Sequence, residues 1–468
     1  MKYIFLLISL FTFNFLQAQV TGVVKDAAGE PIPGANVFWM NTTNGVTTNE
    51  DGNFSIHKPA RSHMLVVSFI GFENDTIHVD KGNQQLDIVL REGVELSEVN
   101  VVTRKLGTMK LRTSVMNEDM ISSAELTRAA CCNLGESFVT NPSVDVSYSD
   151  AATGAKQIKL LGLSGTYVQM MTENIPNFRG AAAPYGLGYV PGPWMQSIQV
   201  SKGSSSVKNG YESITGQINV EFKKPQLPEA DWVSANLFAS STNRYEANAD
   251  ATVKLSKRWS TSLLAHYENE TKSHDSNDDG FVDIPRVEQY NVWNRWAYMG
   301  DHYVFQAGIK ALHETRNSGQ IAHGNTPSHD LYEIGIKTNR YEAFTKNAYI
   351  FDKEKNTNLA LILQGTLHNQ DANYGRKLYD VDQSNFYASL LFETELSKQH
   401  SLSAGLSFNY DGYDQNYRLT NQAEEGLTKK FVKESVPGAY VQYTFNLNDQ
   451  LMLMGGIRGD YSSEYGFF

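Results

Sequence analysis

Two cysteines in 468 residues are too few for a disulfide-stapled scaffold. Charge is also sparse. Only 19% of residues are charged against 41% hydrophobic, the reverse of a disordered chain. Basic residues are fewer still: 40 Lys and Arg stand against 51 Asp and Glu, for a net charge of −11. A nucleic-acid binder needs a basic stripe, and this balance excludes one. Beyond residue 18 no stretch approaches the ~20 consecutive apolar residues of a spanning helix. What is plentiful is aromatic: 24 Tyr, 23 Phe and 6 Trp. Such a load suits strands and wet–dry boundaries. The length is that of roughly three domains of about 150 residues each.

Residues 1–18 begin with one basic side chain, Lys2, continue through an apolar run from Tyr3 to Leu16, and close on Gln17-Ala18-Gln19. A basic start, a short apolar core and a small residue make a secretory signal peptide, and the run is too short to span a bilayer. Residues 19–91 predict a small β-sandwich. Apolar and polar residues alternate at 20–25, 37–41, 54–57 and 65–69, with turn-forming Gly29-Glu30-Pro31, Pro33-Gly34 and Glu50-Asp51-Gly52 between them. Residues 94–105 are β-prone with charged flanks: a further edge strand, or a free segment between domains.

Residues 110–224 read as a small α+β unit. Ser122-Ser123-Ala124-Glu125 is a capping box, and Leu126, Ala130, Leu134 and Phe138 form an i+4 stripe, which predicts a helix stopped at Asn141-Pro142. Strand-like stretches follow at 143–148, 157–163, 167–172, 197–201 and 217–222, with a Gly/Pro-rich excursion at 173–193. From 231 to 468 the texture changes. Ten segments alternate with period two: 232–240, 245–257, 259–268, 303–313, 341–352, 358–368, 385–396, 402–410, 438–445 and 451–461. Short polar turns (256–258, 397–400) trade places with long polar loops (271–290, 315–330). That rhythm, with aromatics at strand ends, is the signature of an outer-membrane barrel. A soluble sandwich also alternates, so a secreted multi-domain β adhesin or glycan-binding protein is the rival reading.

Several motifs carry resemblances. Gly22-Val23-Val24, Asp26, Gly29, Pro31, Gly34-Ala35 and Val37, followed by Asp51-Gly52-Asn53-Phe54, Ser68 and Gly71-Phe72, resemble the carboxypeptidase-regulatory-like β-sandwich. No His-x-x-Glu and no His-Glu-x-x-His occurs, so a peptidase's zinc ligands are missing. Further on, Leu134-Gly135-Glu136-Ser137-Phe138 with Asn141-Pro142-Ser143-Val144-Asp145-Val146 resembles the "L…L…P-G-V-x-V" segment of a receptor plug. Gln157-Ile158-Lys159-Leu160-Leu161-Gly162-Leu163 resembles "I-x-I-R-G". Ser197-Ile198-Gln199-Val200-Ser201-Lys202-Gly203, with Ser206-Val207 and Asn209-Gly210, resembles "I-E-V-x-K-G-x-x-S-x-x-Y-G", and Gly216-Gln217-Ile218-Asn219-Val220 resembles "G-G-x-I-N-I". In that order, ahead of barrel-like strands, they resemble a TonB-dependent outer-membrane receptor of the Bacteroidetes type. Two departures stand out: Leu161 where the family has Arg, and Met171-Thr172-Glu173-Asn174-Ile175-Pro176 for "L-I-D-G-x-P".

The resemblance implies a mainly β chain: a sandwich, an α+β plug, and part of a transmembrane antiparallel barrel. A barrel wide enough for a plug has about 22 strands. Residues 231–468 supply about half that number, so an incomplete version of a longer protein is expected. It further implies an outer-membrane, lipid-embedded location and active import of a scarce ligand, a ferric siderophore or other metal chelate, with copper, heavy-metal or saccharide import as alternatives. The TonB contact falls on Glu98, Val99, Asn100, Val101, Val102 and Thr103, where strand addition asks for β-propensity more than for special side chains.

Ligand contact falls on Arg179, Tyr185, Tyr189 and Trp194 in the plug's outward loop, a cation and ring faces suited to an anionic or aromatic chelate. The same rings would otherwise pack the plug against the wall. Met170, Met171 and Met195 with His313, His323 and His329 form a soft-metal alternative. Cys131-Cys132, in the predicted helix, offers a thiolate pair, a vicinal disulfide or buried packing. One loop has calcium-ligand spacing: Asp275, Asn277, Asp279, the Phe281 carbonyl and Asp283 around Gly280, with Arg286 where a bidentate Glu would sit. A Ca²⁺ there would be structural, and no other cofactor is required. Enzyme motifs fail. Ser205-Ser206-Val207-Lys208 has no companion motifs, and Lys202-Gly203 through Gly210 has its glycines and lysine in the wrong order for a P-loop.

Overall fold

The computed structural model describes residues 19–26, 29–40, 42, 44–59, 63–69, 72, 74–79, 85–90, 108–110, 117–129, 132–139, 141, 144–203, 206–225, 232–321, 331–420, 426–447 and 451–468. The chain divides into two units, 1–103 and 104–468.

In the first unit the described residues form seven strands in two sheets: β1 (Gln19–Lys25), β2 (Asn36–Trp39), β3 (Gly45–Thr47), β4 (Asn53–His57), β5 (Met64–Ser68), β6 (Asp75–His78) and β7 (Gln85–Val89). Their orders are β4-β1-β7 and β3-β2-β5-β6. The alternation read from sequence is the burial pattern. Val20, Val24, Val37, Trp39, Phe54, Ile56, Leu65 and Val67 meet in one core, about the sandwich expected. Strands β3, β6 and β7 escaped the sequence reading; on β3 and β6 nearly every position is half or fully exposed, which leaves no period to see.

In the second unit the plug contains β8 (Thr108–Lys110), β9 (Asn117–Ser122), the helix α1 (Ser123–Arg128), β10 (Val144–Asp150), β11 (Ala155–Leu160), β12 (Val168–Thr172), β13 (Ile175–Pro176), β14 (Met195–Lys202) and β15 (Gly216–Phe222). Six strands form a sheet in the order β13-β12-β15-β14-β9-β8, and β10-β11 is a separate hairpin. All seven positions of β15 are buried, as a central strand covered on both faces requires.

The predicted long helix is corrected. Ser122 does cap α1, its hydroxyl accepting the Glu125 N–H at 3.4 Å, but the helix ends at Arg128. Asn133 has extended backbone, bridges Pro191, and caps a separate 3-10 turn at Leu134–Glu136 through the Glu136 N–H. Leu126, Leu134 and Phe138 reach one core from two local structures rather than from one helix face. Cys132 lies buried past the helix end, and Cys131 lies outside the described residues.

The remaining strands form one antiparallel meander: β16 (Trp232–Ala239), β17 (Arg244–Lys254), β18 (Trp259–Glu270), β19 (Arg286–Met299), β20 (Tyr303–Gly319), β21 (Glu333–Asp352), β22 (Thr357–Tyr374), β23 (Lys377–Ser397), β24 (His400–Arg418), β25 (Thr428–Leu447), β26 (Leu451–Ser462) and β27 (Gly466–Phe467). Each pairs with the next in strict sequence order, an open stretch of barrel wall of 12 described strands. Ten segments were expected. The main omission, β19, carries aromatics on both faces, with Trp293 buried beside Arg295 and Tyr290 and Trp296 outside, so its hydropathy has no clean period. The predicted loops were also too long: β19 starts at Arg286 and β20 runs on to Gly319.

The polarity of this wall is inverted. On β17 the buried row is Glu246, Asn248, Asp250 and Thr252, while Tyr245 and Val253 lie exposed. On β20 Lys310, Glu314 and Arg316 are buried, while Ile309 is 70% exposed. Water would select the opposite arrangement; a plug-filled lumen and a lipid exterior select this one. Rings cluster around the short-turn end, where Trp259 meets Tyr298 and Phe305, and Tyr349 meets Phe351. No helix among the described residues is long and apolar enough to cross a membrane.

Candidate functional site: the plug–wall interface and its tyrosine-lined cavity

The plug is tied to the wall by polar contacts made at its turns. Between β12 and β13, Glu173 and Asn174 both adopt left-handed backbone, with φ of 52° and 62°. This is the two-residue turn where the family has Asp-Gly. The turn sends Glu173 into the wall. Its carboxylate pairs with Arg295 at 2.6 Å, and its carbonyl accepts from Lys346 Nζ at 2.7 Å. Arg295 also donates to the Lys223 carbonyl at 2.8 Å. Burial pushes the Glu173 carboxyl upward, but Arg295, Lys346 and Lys224 outweigh it and hold its pKa below the ordinary carboxylate value.

Asn177 donates to Glu342 at 3.0 Å and accepts from Arg340 at 2.5 Å. Around the Val207–Asn209 turn, Ser206 Oγ donates to Gln442 at 2.6 Å and Lys208 Nζ to Glu393 at 2.7 Å. Each bond joins the plug to a wall strand more than 150 residues away in sequence.

The four ligand residues expected in the plug loop meet different fates. Trp194 is fully buried against Trp293, with ring centres 6.3 Å apart. Tyr189 is also fully buried, and its carbonyl accepts from Asn291 and Lys310. Both rings pack the plug against the wall, the bland alternative. Arg179 is ion-paired with Glu212 and, at 3.1 Å, with Asp411, and it donates to Asn409 at 2.8 Å. Burial works against its charge, yet those carboxylates hold its pKa above the ordinary guanidinium value. Its cation is therefore taken up by the protein.

Tyr185 alone of the four borders a sizeable open space, a cavity of about 450 Å³ that Tyr374, Tyr379, Tyr413, Gln370 and Gln415 also line. These wall residues lie at the end of the wall that carries the long connections 271–285, 320–332 and 419–427, Tyr374 and Tyr379 beside the tight turn at 375–376 and Gln415 close to residues 419–427. The cavity thus opens at the long-loop end. The sequence reading missed them because it stopped the strands at 368 and 410 and began the one between at 385, whereas β22, β23 and β24 run on through these residues. Their signal was register: Tyr379 continues the buried row of Val381 and Gln383. A smaller, charged cavity of about 190 Å³ lies between the plug and β17–β20, with Glu136, Lys156, Arg244, Glu268 and Arg316 on its walls. There Arg244 bridges Glu136, Glu246 and Glu268 at 2.7–3.0 Å.

The calcium-spaced loop turns its oxygens on its own backbone. The Asp275 carboxylate accepts the N–H groups of Asp279 and Gly280, at 3.1 and 2.9 Å. Asn277 and Asp279 accept from Asp279 and Phe281, and Asp283 from Ser276 at 2.6 Å. The Ser276 N–H holds the Asp283 carboxyl below its ordinary pKa. The five residues share one turn, yet among the described residues no three His, Cys, Asp or Glu side chains gather as a metal site.

The described members of the soft-metal set are not brought together. Met171 and Met195 are buried in the plug, whereas His313 bonds to Asn339 on the wall, in the row of exposed Ile309 and opposite buried Lys310. His323 and His329 lie outside the described residues, as do the expected signal segment 1–18 and all six residues expected to contact TonB, Glu98 to Thr103.

A plug sheet bonded inside an inverted-polarity wall defines a class, the plugged outer-membrane receptor fold. Residues 20–102 match the CarboxypepD_reg-like domain, and residues 110–217 match the TonB-dependent receptor plug domain. The chain is 28% identical over 245 residues, 49% of its length, to the TonB-dependent receptor SusC of Bacteroides thetaiotaomicron. Among solved structures it resembles the ferripyoverdine receptor of the outer membrane of Pseudomonas aeruginosa. The TM-score is 0.61 at 14% identity, covering 80% of this chain and 56% of that one. It also resembles the copper transporter OprC, with a TM-score of 0.60 at 13% identity, covering 74% and 54%. The match spans 24% of the length of SusC and a little over half of the two solved chains. The chain thus carries a carboxypeptidase-regulatory-like domain followed by the plug domain of a TonB-dependent receptor, and it is similar to receptors of the Bacteroidetes type. That family comprises receptors and transporters, not enzymes.

Proposed function

We propose that the protein imports a scarce metal chelate across the bacterial outer membrane, with energy delivered through TonB. The observation that carries this reading is the ion-paired plug inside a wall that is polar toward it and apolar outside. A lumen so filled does not leak, so passage requires the plug to be moved. The outer membrane has no ATP, and the work has to come from a periplasmic partner.

In this reading residues 1–18 direct export, and the short-turn end of the wall faces the periplasm. Glu98–Thr103 is offered there for strand addition by TonB. A pull on that segment meets β8 first, an edge strand of the plug sheet, and then β9 beside it. Ligand enters at the opposite, long-loop end, where the cavity bordered by Tyr185 opens.

The test is Val101→Pro, which removes a main-chain donor from the pairing segment. Uptake should vanish while the outer-membrane level and ligand binding persist; unchanged uptake would move the TonB contact elsewhere. Deleting the gene and comparing growth on metal-limited media with growth on defined glycans separates chelate import from saccharide import.

A further inference from the structure

We infer that the N-terminal sandwich carries a site for a soft metal ion, cuprous copper, built from two thioethers and two imidazoles at one end of its four-stranded sheet. The site lies outside the plug and the wall, and it stands independently of the import reading.

Register brings three of the ligands together. His78 on β6 stands directly opposite Met64 on β5, which places their Cβ atoms about 5 Å apart on one face. Met40, one residue past β2, donates its N–H to the Met64 carbonyl at 2.9 Å and so extends the Trp39–Leu65 pairing by one step. Trp39 and Leu65 belong to the sandwich core, and Ile77 packs against it. Side chains alternate along a strand, so Met40, Met64 and His78 form a row across the outer face of the sheet. Both methionines are half-buried there, and His78 is exposed.

The fourth ligand is the residue before β5. The exposed His63 ring stands beside His78, with centres 6.0 Å apart and planes within 19° of parallel. An imidazole nitrogen binds a metal ion at about 2.0 Å, which puts each ring centre about 3.2 Å from a shared ion and the two centres up to about 6.4 Å apart. The observed spacing falls inside that limit. Lys58 Nζ lies 3.1 Å from His63 Nδ1, and an ammonium only donates, so this nitrogen presents its lone pair. A neutral imidazole has one such lone pair. A metal ion and Lys58 therefore compete for it.

Softness selects the ion. Hard cations such as Ca²⁺ and Mg²⁺ take oxygen ligands, whereas thioether sulfur beside imidazole favours Cu⁺. Because two of its four members are methionines, the set is of a different kind from the groups of three His, Cys, Asp or Glu that the described residues lack.

The experiment is an anaerobic competition for Cu⁺ between the intact protein in detergent and the chromophoric chelator bicinchoninate. A Cys131→Ala, Cys132→Ala background removes the chain's two thiols. That protein should withdraw Cu⁺ from the chelator, and copper K-edge absorption should show both sulfur and nitrogen neighbours. Met64→Leu, which keeps the side-chain volume, and His78→Gln should each weaken the binding about tenfold or more. Lys58→Ala should tighten it about threefold or more, because the competing ammonium is gone. His302→Gln, in the turn between β19 and β20, should change nothing. Failure to withdraw Cu⁺, background affinity in both Met64→Leu and His78→Gln, a firmer hold on Zn²⁺ than on Cu⁺, or weaker binding in Lys58→Ala would each overturn the inference.

Discussion

Ile309→Arg tests the inverted polarity of the wall directly. Ile309 is 70% exposed on β20, on the face opposite buried Lys310, with Asn294 and Ala343 as its cross-strand neighbours. It lies six residues from Tyr303, or about 20 Å along a strand. At the usual barrel tilt that becomes about 15 Å of height, near the middle of an apolar band about 25 Å tall. An arginine at the midplane costs about 2–4 kcal/mol, roughly a 30- to 1,000-fold loss in the folded fraction. At a water-exposed site the same change would stay within about 0.5 kcal/mol. Asn317→Arg is the internal control. It occupies the same exposed row eight residues nearer the long-loop end and should cost no more than about 1 kcal/mol. The assay is urea-titrated folding of the intact protein into lipid vesicles, followed by tryptophan fluorescence and heat-modifiable gel migration. If Ile309→Arg folds within about 0.5 kcal/mol of wild type, that face does not meet lipid and the barrel argument fails.

Glu173→Gln leaves Arg295 and Lys346 facing each other in a buried site without their carboxylate, and losing one partner of such a pair costs about 3–5 kcal/mol. Hydrogen exchange at the β12 and β15 amides should therefore quicken by about 100-fold or more; rates within threefold of wild type would contradict the latch. Because the folded pKa of Glu173 is depressed, its stabilisation is complete above the unfolded carboxylate value of about 4.3 and fades as pH falls through the lower folded value. Wild-type exchange should thus show an acidic step that Glu173→Gln lacks. Asp275→Ala removes the acceptor of two loop amides, and limited proteolysis should nick residues 271–285 several-fold faster. Protection of the wild-type loop by millimolar calcium would instead identify those oxygens as cation ligands.

Some of this molecule could be read residue by residue. Strand alternation in the sandwich and along β17, β18 and β20 to β26 follows from side chains that point to opposite faces at every step. Where both rows mix aromatic and polar residues, as on β19, the period disappears and so did the strand. The i+4 stripe from Leu126 to Phe138 misled for a related reason. Burial in a common core does not require a common helix, and Asn133, with extended backbone bridged to Pro191, ends one local structure and begins another.

The site was less legible, because a charge in the sequence does not say where its partner is. Arg179 reads as a ligand-facing cation until packing of the plug loop against β24 brings Asp411, 232 positions downstream, beside it. Tyr374, Tyr379 and Tyr413 become a cavity only when β22, β23 and β24 align in register. Local pattern alone determined the strands, the plug motifs and the scarcity of basic charge, since each depends on neighbours within a few residues. Tertiary structure decided which row faces the plug, which cations are neutralised and where an open space remains. Those outcomes depend on distances between side chains that the chain separates by a hundred residues or more.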